Sequence, residues 1–222
     1  MIALDDSGYF ITGSDTDAGK TYVGCEVVRQ LQAAGVGLET RKPAESGCRP
    51  DANGSLLTHD AAALQAASGE REPIERIAPY RFRAALAPHR AARLENRELR
   101  LQQLIDACQR DDPNHRLIVE GAGGFLSPLA EDGLNADLAA ALQLPTIVVV
   151  RDRIGAVNQA LMTVEAVNNR GLVVAAVVMN RVDAVIEPGM DNAADLRAWC
   201  DLPVFACAHA QPLPPMFEIP RG

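Results

Sequence analysis

Lysine is nearly absent from this 222-residue chain: Lys20 and Lys42 are the only two, against nineteen arginines. The shortage means that a generic cation here is an arginine. Two ammonium groups are kept where a compact point charge on a flexible stem is wanted, a role that a planar guanidinium does not imitate. No run of eighteen apolar residues occurs, which excludes a membrane-spanning helix. The opening Met1-Ile-Ala-Leu-Asp-Asp has neither the basic start nor the long apolar run of a secretory signal. Paired cysteines are lacking as well. Cys25, Cys48, Cys108, Cys200 and Cys207 are odd in number and scattered, with no Cys-x-x-Cys, as expected of a reduced, cytoplasmic protein. Positive charge is in deficit: a net charge of −8 argues against nonspecific binding to nucleic acid or an acidic membrane. The arginines of residues 71–100 are interleaved with acidic groups and read as a solvated face. There is no internal repeat, no linker that would divide the chain, and no evident Ser-His-Asp or Cys-His arrangement.

What is present is an ordinary globular composition, 48% apolar and 23% charged, long enough for one domain with a full core. Short apolar strands are expected at Gly8 to Thr12, Leu38 to Arg41, Arg116 to Val119, Thr146 to Val150, Leu172 to Met179 and Pro203 to Ala206. Helical patterns lie between them, at Lys20 to Ala34, Thr58 to Ala67, Leu94 to Arg110, Leu134 to Leu142, Ala156 to Asn169 and Asp191 to Cys200. Ser46 to Gly54 reads as a turn-rich loop, and the proline-rich tail (residues 210–222) as loop. Strands alternating with helices predict a single α/β domain over residues 1–222, its mostly parallel sheet covered by helices on both faces.

In such a sheet ligands bind beyond the carboxyl ends of the strands. The polar residues that stand out fall at those ends. Gly13 to Thr21 (Gly-Ser-Asp-Thr-Asp-Ala-Gly-Lys-Thr) joins a predicted strand to a predicted helix, the setting in which backbone N–H groups and a helix N-terminus converge on phosphate oxygens. Its glycines are separated by five residues rather than the usual four, so this is a variant phosphate loop. Lys20 would neutralise β- and γ-phosphate charge, and Thr21 would place its hydroxyl on Mg²⁺. Glu120 heads Glu-Gly-Ala-Gly-Gly at another strand end. It reads either as a metal-linked carboxylate or as an exposed acid on a glycine turn. Asp60 reads either as a second metal carboxylate or as an acid favoured by a helix N-terminus. Lys42 reads either as a second ammonium aimed at the γ-phosphate or as a surface lysine at a strand end. Asn180 follows Val177-Val178-Met179 and joins the same candidate site. His89 has no metal-ligand spacing and is given no role.

Together these segments resemble the dethiobiotin synthetases, ATP-dependent carboxylases of biotin synthesis with a deviant P-loop NTPase-like fold. The family's Gly-Thr-Asp-Thr-x-x-Gly-Lys-Thr is matched with Ser14 at its second position, and its Lys-Pro-x-x-Ser-Gly by Lys42 to Gly47. Its Glu-Gly-Ala-Gly-Gly is matched by Glu120 to Gly124, followed by Pro128-Leu129, and its Ala-Pro-His by Ala87 to His89. Its Gly-x-x-Asn is matched by Gly155 to Asn158. The likeness runs from about Tyr9 to Asp183. It implies that Asp17, Ala18, Gly19, Lys20, Thr21 and Tyr22, with Asp60, Glu120, Gly121, Ala122 and Gly123, hold nucleotide. It implies that Asn180 reads the base, that Arg181 also binds nucleotide, and that Thr21, Asp60 and Glu120 hold Mg²⁺. Lys42 and Lys20 would be catalytic. Thr16, Lys42 and Ser46 would contact substrate, with Asn158 near the substrate carboxylate across a homodimer interface. The implied reaction joins 7,8-diaminononanoate and CO₂ or bicarbonate at the expense of ATP. Two departures stand out: Asn158-Gln159 where the family has Asn-His, and Ala208-His209-Ala210 where it has an Ile-Pro loop.

Two other readings share the loop. A dimeric switch ATPase of the chromosome-partitioning or cell-division-site type usually carries an extra lysine early in the loop. Ser14, Asp15 and Thr16 stand there instead, and the tail is neither basic nor amphipathic. An amidotransferase-type ligase acting on cobyrinic acid needs a further glutaminase domain, for which 222 residues leave no room.

Overall fold

A computed structural model describes residues 1–185 and 187–218. Six strands form its central sheet: β1 (Gly8–Gly13), β2 (Leu38–Arg41), β3 (Arg116–Gly124), β4 (Thr146–Arg151), β5 (Val174–Asn180) and β6 (Val204–Cys207). Their order is β6-β5-β4-β1-β3-β2, and every pairing is parallel. The strands are largely apolar on both faces because both faces are covered, with the edge strand β2 (Leu-Glu-Thr-Arg) the exception. Alternate residues divide between two cores. Phe10, Val119, Val148 and Val177 face one side, together with Leu138 of α3 (Asn135–Leu142) and Ala160 of α4 (Ala156–Asn168). Ile11, Ile118, Val149 and Val178 face the other, with Val27 and Leu31 of α1 (Lys20–Ala33) and Leu64 of α2 (Asp60–Ala67).

From β1 the chain crosses by α1 to the edge strand β2; from β3 it crosses by α3 to β4, on the far side of β1. Neighbouring strands β1 and β3 therefore send their connections in opposite directions. Such a switch point opens a crevice at the carboxyl ends of the two strands.

The edge strand carries a charge in its interior. Arg41 is fully buried, and its guanidinium donates to Glu39 (2.6 Å), Glu72, Asp111 (3.5 Å) and the Thr40 carbonyl (2.8 Å). Glu39 also accepts from the backbone N–H groups of Asp111 and Asp112. The cation among these three carboxylates is Arg41 itself.

Several elements differ from the sequence expectation. The helix expected over Leu94 to Arg110 is two, Pro88–Leu94 and Leu101–Ala107. Asn96 between them takes a left-handed φ of 53°, and Leu101 donates its N–H to Asp132 (2.8 Å) to begin the second. Within the loop expected at Ser46 to Gly54, Arg49–Pro50 pairs antiparallel with Leu56–Leu57. The tail is not all loop: Phe217–Glu218 pairs parallel with Ile2–Ala3, and the buried Phe217 packs on Tyr9. Residues 219–222 of that tail lie outside the described residues.

Candidate active site

Between β1 and α1 the chain makes two left-handed steps, Asp17 (φ 57°) and Gly19 (φ 85°), before the helix begins at Lys20. Loop and helix start leave the backbone N–H groups of residues 17–22 without an acceptor among the described residues. In a helix of fourteen residues these orphan donors lie at the positive end of the backbone dipoles and form a cradle for an anion. Lys20 is buried under the loop, its Nζ on the Asp15 carbonyl at 3.1 Å. Burial, and next the ammonium of Lys42, lower its pKa from the ordinary lysine value.

Lys42 follows β2 directly. It is buried, not a surface lysine, and its Nζ meets three acceptors: Glu120 Oε1 (2.6 Å), Asp60 Oδ2 (2.9 Å) and the Gly121 carbonyl (3.0 Å). Burial alone would lower its pKa, but Glu120 and Asp60 outweigh that and raise it. Glu120 stands within β3 rather than on an exposed turn, since β3 continues through the glycines to Gly124, opposite Gly13. Its Oε1 also accepts the Thr21 hydroxyl at 2.9 Å; its Oε2 is buried with no donor among the described residues. Asp60 opens α2, whose first N–H groups (His59, Asp60, Ala61) donate to Glu45 at 2.6, 3.0 and 2.9 Å.

Asp60 has a consequence in acid. Burial pushes its carboxyl up, but Lys42 prevails and holds it below the ordinary value of 3.8. A carboxylate depressed in the folded state contributes stability above its unfolded pKa. That contribution is lost as pH falls through the folded value. Asp60→Asn is therefore expected to flatten the decline of the urea midpoint below about pH 4. An unchanged acid slope would remove the Asp60–Lys42 pair from the stability of this corner.

A cavity of about 650 Å³ opens over these groups. Of the expected site residues it is lined by Thr16, Asp17, Gly19, Lys20, Thr21, Tyr22, Lys42, Ser46, Asp60, Glu120, Ala122 and Gly123. Ala18 is buried beneath it, and Gly121 meets Lys42 through its carbonyl. Three more expected residues do not line it. Asn180 is buried at the end of β5 and donates from Nδ2 to the Ala18 carbonyl (2.9 Å). Arg181 pairs with Asp152 (3.4 Å). Asn158 is exposed on α4, its amide on Met162 Sδ. The sequence reading passed over Glu45 and Asn135. Asn135 is buried beside the glycines of β3, accepting from Ala122 N–H (2.9 Å) and donating to the Gly124 carbonyl (3.2 Å). It starts α3 directly after Gly133-Leu134, and an amide at a helix start was the available signal.

A domain family described as an AAA domain matches residues 7–213. An "ATP-dependent dethiobiotin synthetase BioD" of Anaeromyxobacter dehalogenans is 46% identical over 85% of this chain and 83% of its own length. A protein with the same description from Rhodopirellula baltica is 35% identical over 96% of this chain and 89% of its own. Among solved structures, the signal recognition particle receptor FtsY of Elizabethkingia anophelis with GDP superposes at a TM-score of 0.53 and 14% identity, over 95% of this chain and 60% of that one. The 54 kDa signal recognition particle protein of Aeropyrum pernix, also with GDP, does so at 0.52 and 15%, over 96% and 44%. These two likenesses concern the fold, which is P-loop NTPase-like.

Proposed function

The chain belongs to the ATP-dependent dethiobiotin synthetases, and from that premise we propose that it converts 7,8-diaminononanoate, CO₂ and ATP into a cyclic urea, ADP and phosphate. The observation that carries the reading is Lys42. Its ammonium is buried between Asp60 and Glu120 in the same cavity as an unpaired N–H cradle.

One substrate amine takes up CO₂ as a carbamate. A carbamate oxygen attacks the γ-phosphorus of ATP, ADP leaves, and a carbamic–phosphoric anhydride forms. The second amine attacks the anhydride carbonyl, loses its proton, closes the five-membered ring and expels phosphate. That closure is intramolecular and gains accordingly in effective concentration. The protein positions anions and offsets charge. In this reading the N–H groups of residues 17–22 and Lys20 hold the phosphates, and Lys42 follows charge onto the transferred group. Thr16 and Ser46 face the substrate, and Asn158 reaches it from a second protomer.

Thr21, Asp60 and Glu120 offer hard oxygen donors, and the undonated Glu120 Oε2 is a buried acceptor. The set fits Mg²⁺, which when bound there would neutralise phosphate-oxygen charge. No helix among the described residues is long and apolar enough to cross a membrane.

The test is phosphate release from Mg-ATP with and without the diamine and bicarbonate, with the product followed by mass. Release that requires both, with appearance of the cyclic urea, is the expected result. Release indifferent to the diamine would replace this reading with a switch ATPase.

A further inference from the structure

Asp60 is gripped from two directions by one short segment. Lys42 takes its carboxylate at 2.9 Å, and Glu45, three residues later, takes its backbone N–H at 3.0 Å. Glu45 Oε1 accepts the His59 N–H as well (2.6 Å), and Oε2 the Ala61 N–H (2.9 Å). α2 has no cap of its own, since the His59 side chain bonds none of the first N–H groups of the helix. Glu45 supplies from fifteen positions away what a Ser or Asp just before the helix would supply.

The Glu45 carboxylate is buried in the wall of the cavity. A buried charge is costly unless it is met; here three charge-assisted bonds at the positive end of the helix dipole meet it. The segment itself is anchored. Ala44–Ser46 pairs with Tyr80–Phe82, and the Lys42 N–H is held by the Ile77 carbonyl at 2.8 Å. With both Glu45 oxygens engaged, the first turn of α2 is fixed against the segment that carries Lys42 and Ser46. An aspartate has only two side-chain torsions, so fixing its backbone leaves its carboxylate few places to stand.

We propose that Glu45 is a positioning residue for Asp60: it holds the start of α2 so that the Asp60 carboxylate meets Mg²⁺ beside Thr21 and Glu120. The inference rests on the Mg²⁺ reading of the cavity and adds to it the group that orients one of the donors, a kind of partner on which metal affinity depends strongly.

The test measures affinity for ATP by calorimetry in excess Mg²⁺ and again in EDTA, at a temperature where every variant is folded. The proteins are the wild type, Glu45→Ala, Glu45→Gln, Asp60→Asn and Glu45→Ala/Asp60→Asn. The ratio of the two affinities is the gain due to the metal. Glu45→Ala should cut that gain roughly tenfold or more without weakening binding in EDTA, which reads the N–H cradle and Lys20. In the Asp60→Asn background the same substitution should cost nothing further, because the route through Asp60 is already gone. A cap that only stabilises the helix would lower the melting midpoint and leave the gain intact, and that outcome overturns the proposal. So does an equal loss in Mg²⁺ and EDTA, or a loss that persists in the Asp60→Asn background. Glu45→Gln keeps an oxygen toward His59 and Asp60 and should retain most of the gain; a loss as large as that of the Ala variant would assign the effect to charge and refute positioning. Amide exchange without metal or nucleotide gives a second readout. Residues 59–61 should exchange faster in Glu45→Ala while α1 and the strands stay protected; unchanged exchange there would sink the idea. A wild type that binds ATP equally in Mg²⁺ and EDTA would remove the metal reading and this inference with it. Failure of the diamine reaction with the binding pattern intact would count against the proposed reaction alone.

Discussion

Lys42→Ala should lower turnover at least ~100-fold while weakening nucleotide binding far less. The physical reason is differential: charge accumulates on the transferring group, and an ammonium within reach stabilises that state more than the bound reactant. The three short contacts of Lys42 hold its ammonium in one place, so no reorganisation is needed at the moment of transfer. Removing it has a second effect, since Glu120 and Asp60 then share a buried corner without a counter-charge, and one of the two is expected to take up a proton. Lys42→Arg should also be poor. A guanidinium is too broad to take three acceptors placed for a point charge at 2.6, 2.9 and 3.0 Å. Steady-state kinetics beside ATP binding by calorimetry separates the effects. Equal kcat/KM in mutant and wild type would take Lys42 out of the mechanism, and full activity of the Arg variant would undercut the meaning attached to the scarcity of lysine.

Arg41→Met should destabilise the fold by ~3–5 kcal/mol, the usual consequence of removing one partner from a buried ion pair. For a domain of this size that lowers Tm by roughly 10 °C or more. Glu39 is the reason: it is buried beside Arg41, its carboxylate 2.6 Å from the guanidinium, and the variant leaves it without that counter-charge. The double variant Arg41→Met/Glu39→Gln is expected to recover part of the loss, because it removes the most deeply buried of the carboxylates that Arg41 pairs and leaves only the more exposed Glu72 and Asp111. Denaturant melts of the three proteins decide. A loss below ~1 kcal/mol would mean that the pair is solvated as a surface bridge is.

The strands were legible where β-branched runs leave one reading, as in Thr146-Ile-Val-Val-Val, and the loop where glycine spacing meets a strand and a helix. Failures came where tertiary contacts overrode local signals. Gly121 to Gly124 looks like a turn, yet it continues β3 because β1 runs beside it and Gly13 pairs with Gly124. Leu94, Leu101, Leu104 and Cys108 suggested one helical face, but Leu99 is buried in the break and Asn96 accepts the left-handed step that ends the first helix. Glu45 was missed because it caps a helix that begins fifteen residues later, beyond any local capping pattern. Asn180 was legible as a site residue but not in its contact, which joins segments 162 positions apart.

The place of β1 in the sheet also governs when the cradle can exist. Phe10 lies in register with Val119 on one side and Thr146 on the other, both more than a hundred residues further along the chain. As the polypeptide leaves the ribosome, the first strand is made early and has no partner until β3 emerges, and no second one until β4 does. Loop closure over such distances is slow, and an apolar strand awaiting its neighbours is open to wrong pairing. The residues that would grip phosphate are thus among the first synthesised and among the last to be fixed in place. A nascent chain stalled before residue 146 should bind no nucleotide.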